Sequence, residues 1–316
     1  MSTRAHVLVL GGGPDAEREV SIASSNAVAD ALRAHGAYDV THELIEAIDT
    51  SDLARLPGDV IFPVLHGPWG EGGRLQDVLE ASERPYVGSG PLGARAAMDK
   101  IHTKGVASIL GMETSVHAIA QPGDARCVLD FPVIVKPVLE GSTIGLHRCR
   151  DADAYARAVD DAAQSGRVSM VEPLIVGREL TLGLIADAYP EPNDWLALPM
   201  VEIAPASGHY DYEAKYLRDD TIYTVAPDLP AGLAQRLGEQ TARLARTLEL
   251  RHLCRADFIL DDDGSAWLLE INTMPGFTDH SLLPMAAAHA GIPMPELCAR
   301  LVEAALADHP TRAAAQ

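Results

Sequence analysis

The sequence predicts a mixed α/β protein: an open parallel α/β layer followed by two α+β units. Three observations carry that expectation. Short apolar runs alternate with amphipathic helical stretches through the first 88 residues, the pattern of a parallel sheet covered by helices. A Gly/Ser loop, EGSTIG, interrupts strand-forming sequence in mid-chain. Near the end, two apolar runs flank Asp262-Asp263-Gly264, and Asp-Gly is a strong hairpin signal. The chain has 316 residues, 47% hydrophobic and 22% charged, enough for two or three compact units.

The first unit spans residues 1–88. HVLVL is a buried strand running into the turn GGGPDAEREVS, and SIASSNAVADALRAHG is an amphipathic helix stopped by Gly36. DVIFPVLHG is a second strand, GGRLQDVLEASE a second helix, and PYVGSG closes another strand. In the second unit, 89–182, MDKIHTKGVASILG is helical and FPVIVKP is a strand carrying a lysine. The loop LEGSTIGLHRC returns into a strand, DADAYARAVDDAAQSG is a helix, and SMVEPLIVGRELTLGLI supplies two further strands. The third unit, 183–316, opens with a long loop, 205–224, and continues with a helix near 231–250, the hairpin and a final helical region. The last residues, HPTRAAAQ, read as a frayed tail.

The formal net charge of −20 argues against nucleic-acid and anionic-membrane partners, so an anionic substrate must meet local lysines or a metal. No apolar stretch is long enough to span a bilayer. MSTRAHVLVLGGG is a strand into a glycine turn and not a signal peptide. Cys127, Cys149, Cys254 and Cys298 show neither CxxC spacing nor a disulfide framework, and read as reduced thiols of a cytoplasmic protein.

The hairpin holds the sharpest chemical signal. Counting outward from a two-residue turn at Asp263-Gly264 places Asp257 opposite Glu270 and Arg255 opposite Asn272, all on one face. Opposed like charges destabilise a sheet, and a divalent cation turns that cost into a site. Two carboxylates and an amide oxygen are hard donors suited to Mg²⁺. Lys136 interrupts an apolar strand and needs an anion, because a buried unpaired ammonium is costly. Lys100 and Lys215 stand out against the acidic background as further phosphate contacts. Residues 140–145, EGSTIG, form a loop whose glycines let backbone N–H groups approach phosphate oxygens.

Glu172 and Glu179 flank a strand pair, where a carboxylate can accept bonds from ribose hydroxyls; for Glu179 a salt bridge with Arg178 or another surface residue is the competing reading. Ser281 is an N-cap candidate, and a helix N-terminus also takes a carboxylate. His66 ends a strand on the side where α/β crevices open. Two glycine motifs compete with this reading: Gly11–Ala16 fits GxGxxA and Gly88–Gly93 fits GxGxxG, each with an internal proline. A nicotinamide oxidoreductase built on the first leaves Lys136 and the acidic hairpin face unexplained. A catalytically idle nucleotide-binding module is a third reading.

These residues resemble the bacterial D-alanine–D-alanine ligases of the ATP-grasp superfamily over nearly the whole chain. The match rests on AEREVS, LHGPWGE, YVGSG, MDK, VIVKP, EGSTIG, GREL, YDYEAKY, RADF and EINTMPGFTDHSLLP, in that order. The resemblance implies a three-domain ATP-grasp fold and an ATP-dependent carboxylate–amine ligase that joins two D-alanines for peptidoglycan precursors, as a homodimer. It implies that Glu17 holds the ammonium of the first D-alanine, with His66 near its carboxylate. Ser142 and Tyr216 would form a hydrogen-bonded link with Glu17. Lys100, Lys136 and Lys215 would contact the ATP phosphates, and Glu172 and Glu179 the adenine–ribose side. Asp257, Glu270 and Asn272 would hold two Mg²⁺ ions, with Mn²⁺ able to substitute. Arg255 and the Gly276 N–H would form the oxyanion site, and Ser281 and Leu282 would grip the second D-alanine.

Three departures from the family pattern are visible. The glycine loop has GSTIG in place of GSSVG, Gly72 stands where an Asp is usual, and the stretch from Met112 to Phe131 is short. Related ligases that take D-serine or D-lactate as the second substrate are the alternative reading.

Overall fold

The computed structural model describes residues 4–121, 126–187, 194–206 and 220–313. Three β-sheets carry the architecture among these residues. The first is parallel, in the order β2-β1-β3, with β1 (His6–Gly12) paired to β2 (Asp39–Ile45) and β3 (Val60–Pro63). The helix α1 (Arg18–His35) crosses from β1 to β2 and ends at Gly36, where a φ of 78° gives the left-handed cap that glycine adopts without strain. The short helices α2 (Thr50–Leu53), α3 (Gly67–Gly70) and α4 (Arg74–Ala81) follow. Alternate β1 residues fill different cores. Val7 and Val9 join Val28, Leu32 and the C-terminal helices, while Leu8 and Leu10 meet Leu53, Leu75 and Leu79. DVTHELI, which the apolar pattern passes over, is an edge strand whose side chains are mostly half-exposed.

The helices α5 (Pro91–Met98) and α6 (Lys100–Ile109) come next. The second sheet is antiparallel, with β4 (Ala118–Ala120), β7 (Ser169–Pro173), β5 (Val133–Pro137) and β6 (His147–Cys149) side by side in that order. The helix α7 (Ala152–Ser165) backs it and starts where the Asp151 carboxylate accepts the Ala154 amide at 2.8 Å. Its core is Val133, Val135, Tyr155, Val159 and Val171.

The third sheet is antiparallel. It consists of β8 (Arg178–Asp187), β9 (Asp194–Ala197), β10 (Val201–Pro205), β11 (Thr221–Val225), β12 (Leu253–Leu260) and β13 (Ala266–Asn272). The order is β11-β10-β8-β12-β13, and β9 also pairs with β8. Beneath it lies α8 (Leu233–Thr247); α9 (Leu282–His289) and α10 (Met294–Ala313) complete the chain. Leu283, Leu297 and Leu301 share one core with Val7, Phe62 and Leu253, so the first and third sheets are joined by common packing.

Several sequence expectations change. The helices α5 and α6, placed in the central unit, bury Ala97 and Ala107 with Leu182, Leu244 and Leu268 of the third layer. A cut at residue 182 falls inside β8. The expected loop 205–224 contains most of β11, which pairs with β10 because Ile203 and Tyr223 face each other across an antiparallel register. The tail does not fray at His309: α10 continues to Ala313.

Candidate active site

Asp257 does pair with Glu270, and Arg255 with Asn272. The route to that register differs from the count. The turn is a five-residue loop, 261–265, in which Asp261 accepts the amides of Asp263 and Ser265 at 3.1 and 2.8 Å and the Trp267 indole at 2.8 Å. The pairs from Leu260–Ala266 to Phe258–Leu268 consequently run one residue out of step with the expected count. A bulge on β13 at Leu269 restores it before the acids are reached. The bulge also leaves Leu269 and Glu270 lining the same cleft.

Each opposed acid is met by a cation. Arg255 grips Asp257 through Nε and Nη2 at 2.9 and 2.8 Å, and Thr181 Oγ1 donates to Asp257 Oδ1 at 2.6 Å. Lys100 Nζ lies 3.1 Å from Glu270 Oε2, and Asn272 Oδ1 accepts the Met274 amide at 2.9 Å. No group of three His, Cys, Asp or Glu side chains suited to a metal occurs among the described residues. The hairpin set is two carboxylates and an amide, a hard-oxygen set that fits Mg²⁺ completed by water and phosphate oxygens.

One polar cavity is lined by Glu17, His66, Ser142, Arg255, Gly276, Ser281 and Leu282 together. Glu17 is buried at the N-cap position of α1, and Ser142 Oγ donates to its carboxylate. Ser142 and Thr143 have φ values of 50° and 65°, left-handed conformations that cost about 1–3 kcal/mol each for residues with side chains. The strained loop thus presents its serine to Glu17. His66 Nδ1 donates to the Met274 carbonyl at 3.0 Å, and its buried Nε2 has no hydrogen-bond partner among the described residues. Burial holds the His66 pKa below the usual imidazole range.

Ser281 sits at the N-cap of α9 but does not cap it. Its Oγ instead accepts the Thr278 amide at 2.9 Å, and a Cβ on Gly276 would lie only 2.8 Å from that Oγ. The cavity also holds Glu71, to which the sequence reading assigned no role. It is 5% exposed and accepts the Gly67 amide at 3.1 Å; burial and the nearby Glu17 push its pKa up to about 8. The signal available in the sequence was an acid closing the glycine turn LHGPWGE. That turn also accounts for Gly72, where a Cβ would meet the Pro68 carbonyl oxygen at 2.3 Å.

A larger, more apolar cleft lies between the second and third sheets, lined by Lys136, Glu172, Glu179, Asp257, Leu269 and Glu270 among others. The anion that buried Lys136 needs is internal: its ammonium lies 2.5 Å from Glu172 Oε1. Glu172 Oε2 is 2.9 Å from Lys104 Nζ and accepts Ser115 Oγ at 2.7 Å. Glu172, expected on the adenine–ribose side, is therefore committed to two lysines, while Glu179 lines the cleft at the start of β8. Lys104 was missed in the sequence; its signal is a spacing of four from Lys100 on one helix. Lys100, Glu140, Gly141 and Glu270 line both cavities, which meet there. Lys215 and Tyr216 lie outside the described residues.

Neither glycine motif forms a dinucleotide turn. A Cβ on Gly11 would meet Ser25 Oγ at 1.9 Å, and Gly12 N–H donates to Ser21 Oγ, so α1 fills the first. In the second, Gly93 lets α5 approach the Glu249 carbonyl, 2.8 Å from where a Cβ would sit.

Residues 112–303 match the family model described as D-ala D-ala ligase C-terminus, and 42–89 match D-ala D-ala ligase N-terminus. The D-alanine–D-alanine ligase of Ectopseudomonas mendocina is 41% identical over 299 residues, covering 92% of this chain and 91% of that one. That of Dechloromonas aromatica is 38% identical over 316 residues, covering 98% and 100%. The solved structure of D-alanine–D-alanine ligase from Bacillus anthracis complexed with ATP has a TM-score of 0.81 at 28% identity, covering 98% of this chain and 100% of that one. The VanG D-Ala:D-Ser ligase from Enterococcus faecalis shares the fold at a TM-score of 0.81 and 22% identity, covering 96% and 100%.

Proposed function

The chain belongs to the D-alanine–D-alanine ligase family, and from that premise we propose how its own residues divide the work. It is an ATP-dependent ligase of ATP-grasp fold that joins two D-alanines for peptidoglycan synthesis. The observation that carries the proposal is the meeting of two cavities at Lys100, Glu140 and Glu270. One is small and polar, suited to amino acids; the other is larger and more apolar, suited to a nucleotide.

In this reading ATP lies between the second and third sheets, with adenosine toward Glu179 and Glu172 and the phosphates toward Lys136, Lys100 and Lys215. The first D-alanine occupies the polar cavity, its ammonium on Glu17 and its carboxylate near His66. The strained Ser142 loop, linked to Glu17, orients it, and Tyr216 would complete that link. A carboxylate oxygen of this substrate attacks the γ-phosphorus, the bond to ADP breaks, and an acyl phosphate forms. The amine of the second D-alanine, its carboxylate held by Ser281, Leu282 and the α9 N-terminus, then attacks the acyl carbon. The C–N bond forms, the C–O bond breaks with its electron pair on the departing phosphate, and the amine's proton passes to that phosphate. Arg255 and the Gly276 N–H meet the charge that builds on the acyl oxygen.

Asp257, Glu270 and Asn272 would hold two Mg²⁺ ions, or Mn²⁺, which supply neutralisation of phosphate charge. We also propose three working units, with boundaries near 88 and just before β8 and with α5 and α6 carried by the C-terminal one, and a cytoplasmic homodimer. Four free cysteines support the compartment. No helix among the described residues is long and apolar enough to cross a membrane.

The deciding experiment is phosphate release from ATP against a panel of D-amino and D-hydroxy acids. D-Alanine alone is expected to give the highest turnover. Faster turnover with D-serine or D-lactate as the second substrate would overturn the assignment.

A further inference from the structure

Lys104 is 1% exposed, lies one helical turn beyond Lys100 on α6, and has no place in the mechanism above. Its ammonium meets Ser115 Oγ at 2.9 Å, the Leu268 carbonyl at 3.4 Å and Glu172 Oε2 at 2.9 Å. Leu268 immediately precedes the bulge that aims Glu270, and Glu172 is the partner of Lys136. One buried side chain therefore ties the strand of the metal-binding acid to the strand pair that carries Lys136.

The charges explain why a lysine is needed there. Glu172 alone would cancel Lys136. Burial lowers the Lys104 pKa, and the Glu172 carboxylate against it pulls the other way. With Lys104 protonated, two ammonium groups share one carboxylate, and the cluster keeps a net positive charge at the wall of the nucleotide cleft. Burial pushes Glu172 up, but Lys136 and Lys104 outweigh it and hold the carboxyl at about 2, so it stays ionised. In a chain of net charge −20, such a site is scarce.

We propose that Lys104 is a positioning residue for nucleotide binding: it takes up one oxygen of Glu172, so that Lys136 keeps the charge and the position with which it meets the ATP phosphates. This rests on the reading that places the triphosphate at Lys136.

The test compares calorimetric dissociation constants of ATP with magnesium and of adenosine for the full chain, in wild type, Lys104→Gln, Lys104→Met and Lys136→Met. The ratio of the two constants isolates what the phosphates contribute. Both Lys104 variants should lose about tenfold or more of that ratio, the scale of removing one nearby charge, with adenosine binding unchanged. KM for ATP should rise more than kcat falls. A role in packing alone would weaken ATP and adenosine together, leave the ratio intact and overturn the proposal. A ratio lost in Lys136→Met but kept in both Lys104 variants overturns this proposal and leaves the placement of ATP standing; a ratio kept in all three overturns both. Lys104→Gln retains a donor for Ser115 and Leu268, so it carries the test if Lys104→Met does not fold. Unfolding of both variants would make the lysine a folding requirement and overturn the proposal as well.

Discussion

Asp257 and Glu270 face each other across the β12–β13 hairpin because a bulge at Leu269 takes up the residue by which the turn is out of step. Neither acid is stranded: Arg255 forks onto the first and Lys100 reaches the second. The pair therefore has its repulsion offset by side-chain cations without a metal ion; both acids line the larger cleft, and Glu270 also lines the polar cavity.

Glu270→Gln keeps the shape of the hairpin and removes a charge. It should lower kcat by about a hundredfold or more, the scale of losing one preorganised electrostatic group. Phosphate release with D-alanine and ATP measures this, with a thermal melt to show that the fold survives. Wild-type turnover would remove Glu270 from the metal set.

Arg255→Lys keeps a cation and loses the two-pronged grip on Asp257. A drop in kcat of about 10²–10³ is expected, with KM for ATP less affected. Steady-state kinetics in both substrates separates the two parameters; a pure KM effect would argue against an oxyanion role.

Glu71 ties stability to pH. Folding raises the pKa of this acid from 4.5 to about 8, so between those values the folded chain holds a proton that the unfolded chain has released. Stability contributed by this group is full below the unfolded value and declines as pH rises toward 8. Glu71→Gln should flatten that decline and raise the melting temperature at pH 8 by about 2 °C or more. Melts of wild type and variant at pH 5 and 8 check the difference; equal slopes would place the ionisation elsewhere.

Glu172 has the opposite sign. Lys136 and Lys104 outweigh burial and hold its pKa at about 2, so its stabilising effect is present above the ordinary carboxylate pKa of 4.5 and fades as pH falls toward 2. Glu172→Gln strands two buried ammonium groups and should cost about 3–5 kcal/mol near neutrality. Denaturant titration reads the loss, and the gap to wild type should narrow in acid.

ATP with magnesium should raise the melting temperature in a concentration-dependent way, and NAD should not. Stabilisation by NAD would revive the glycine turn at Gly11 as a site, despite the α1 serines that fill it.

Much of this was readable from residue order. HVLVL, FPVIVKP and the acids embedded in the last hairpin announce buried strands with charged exceptions, and buried charge demands partners. The hairpin count reached the right pairs through two departures that offset each other, a longer loop and a bulge. β10 lies in the apolar stretch LALPMVEIA, but β11 follows a charged segment and went unseen because its antiparallel pairing with β10 makes it a strand. Glu71 and Lys104 left only weak local signals, a glycine turn and a helical spacing, and the engagement of Glu172 left none, because its partners come from distant segments.

The linear chain thus specified which groups were available and which local segments could form: period-two strands, capped helices, and a glycine loop with a serine in it. Folding determined which charges neutralise one another, since Glu172 meets a lysine 68 positions earlier and Ser142 meets a carboxylate 125 positions away. Ionic interaction depends on distance in space and on loss of water, and neither quantity is set until sheets and helices have packed.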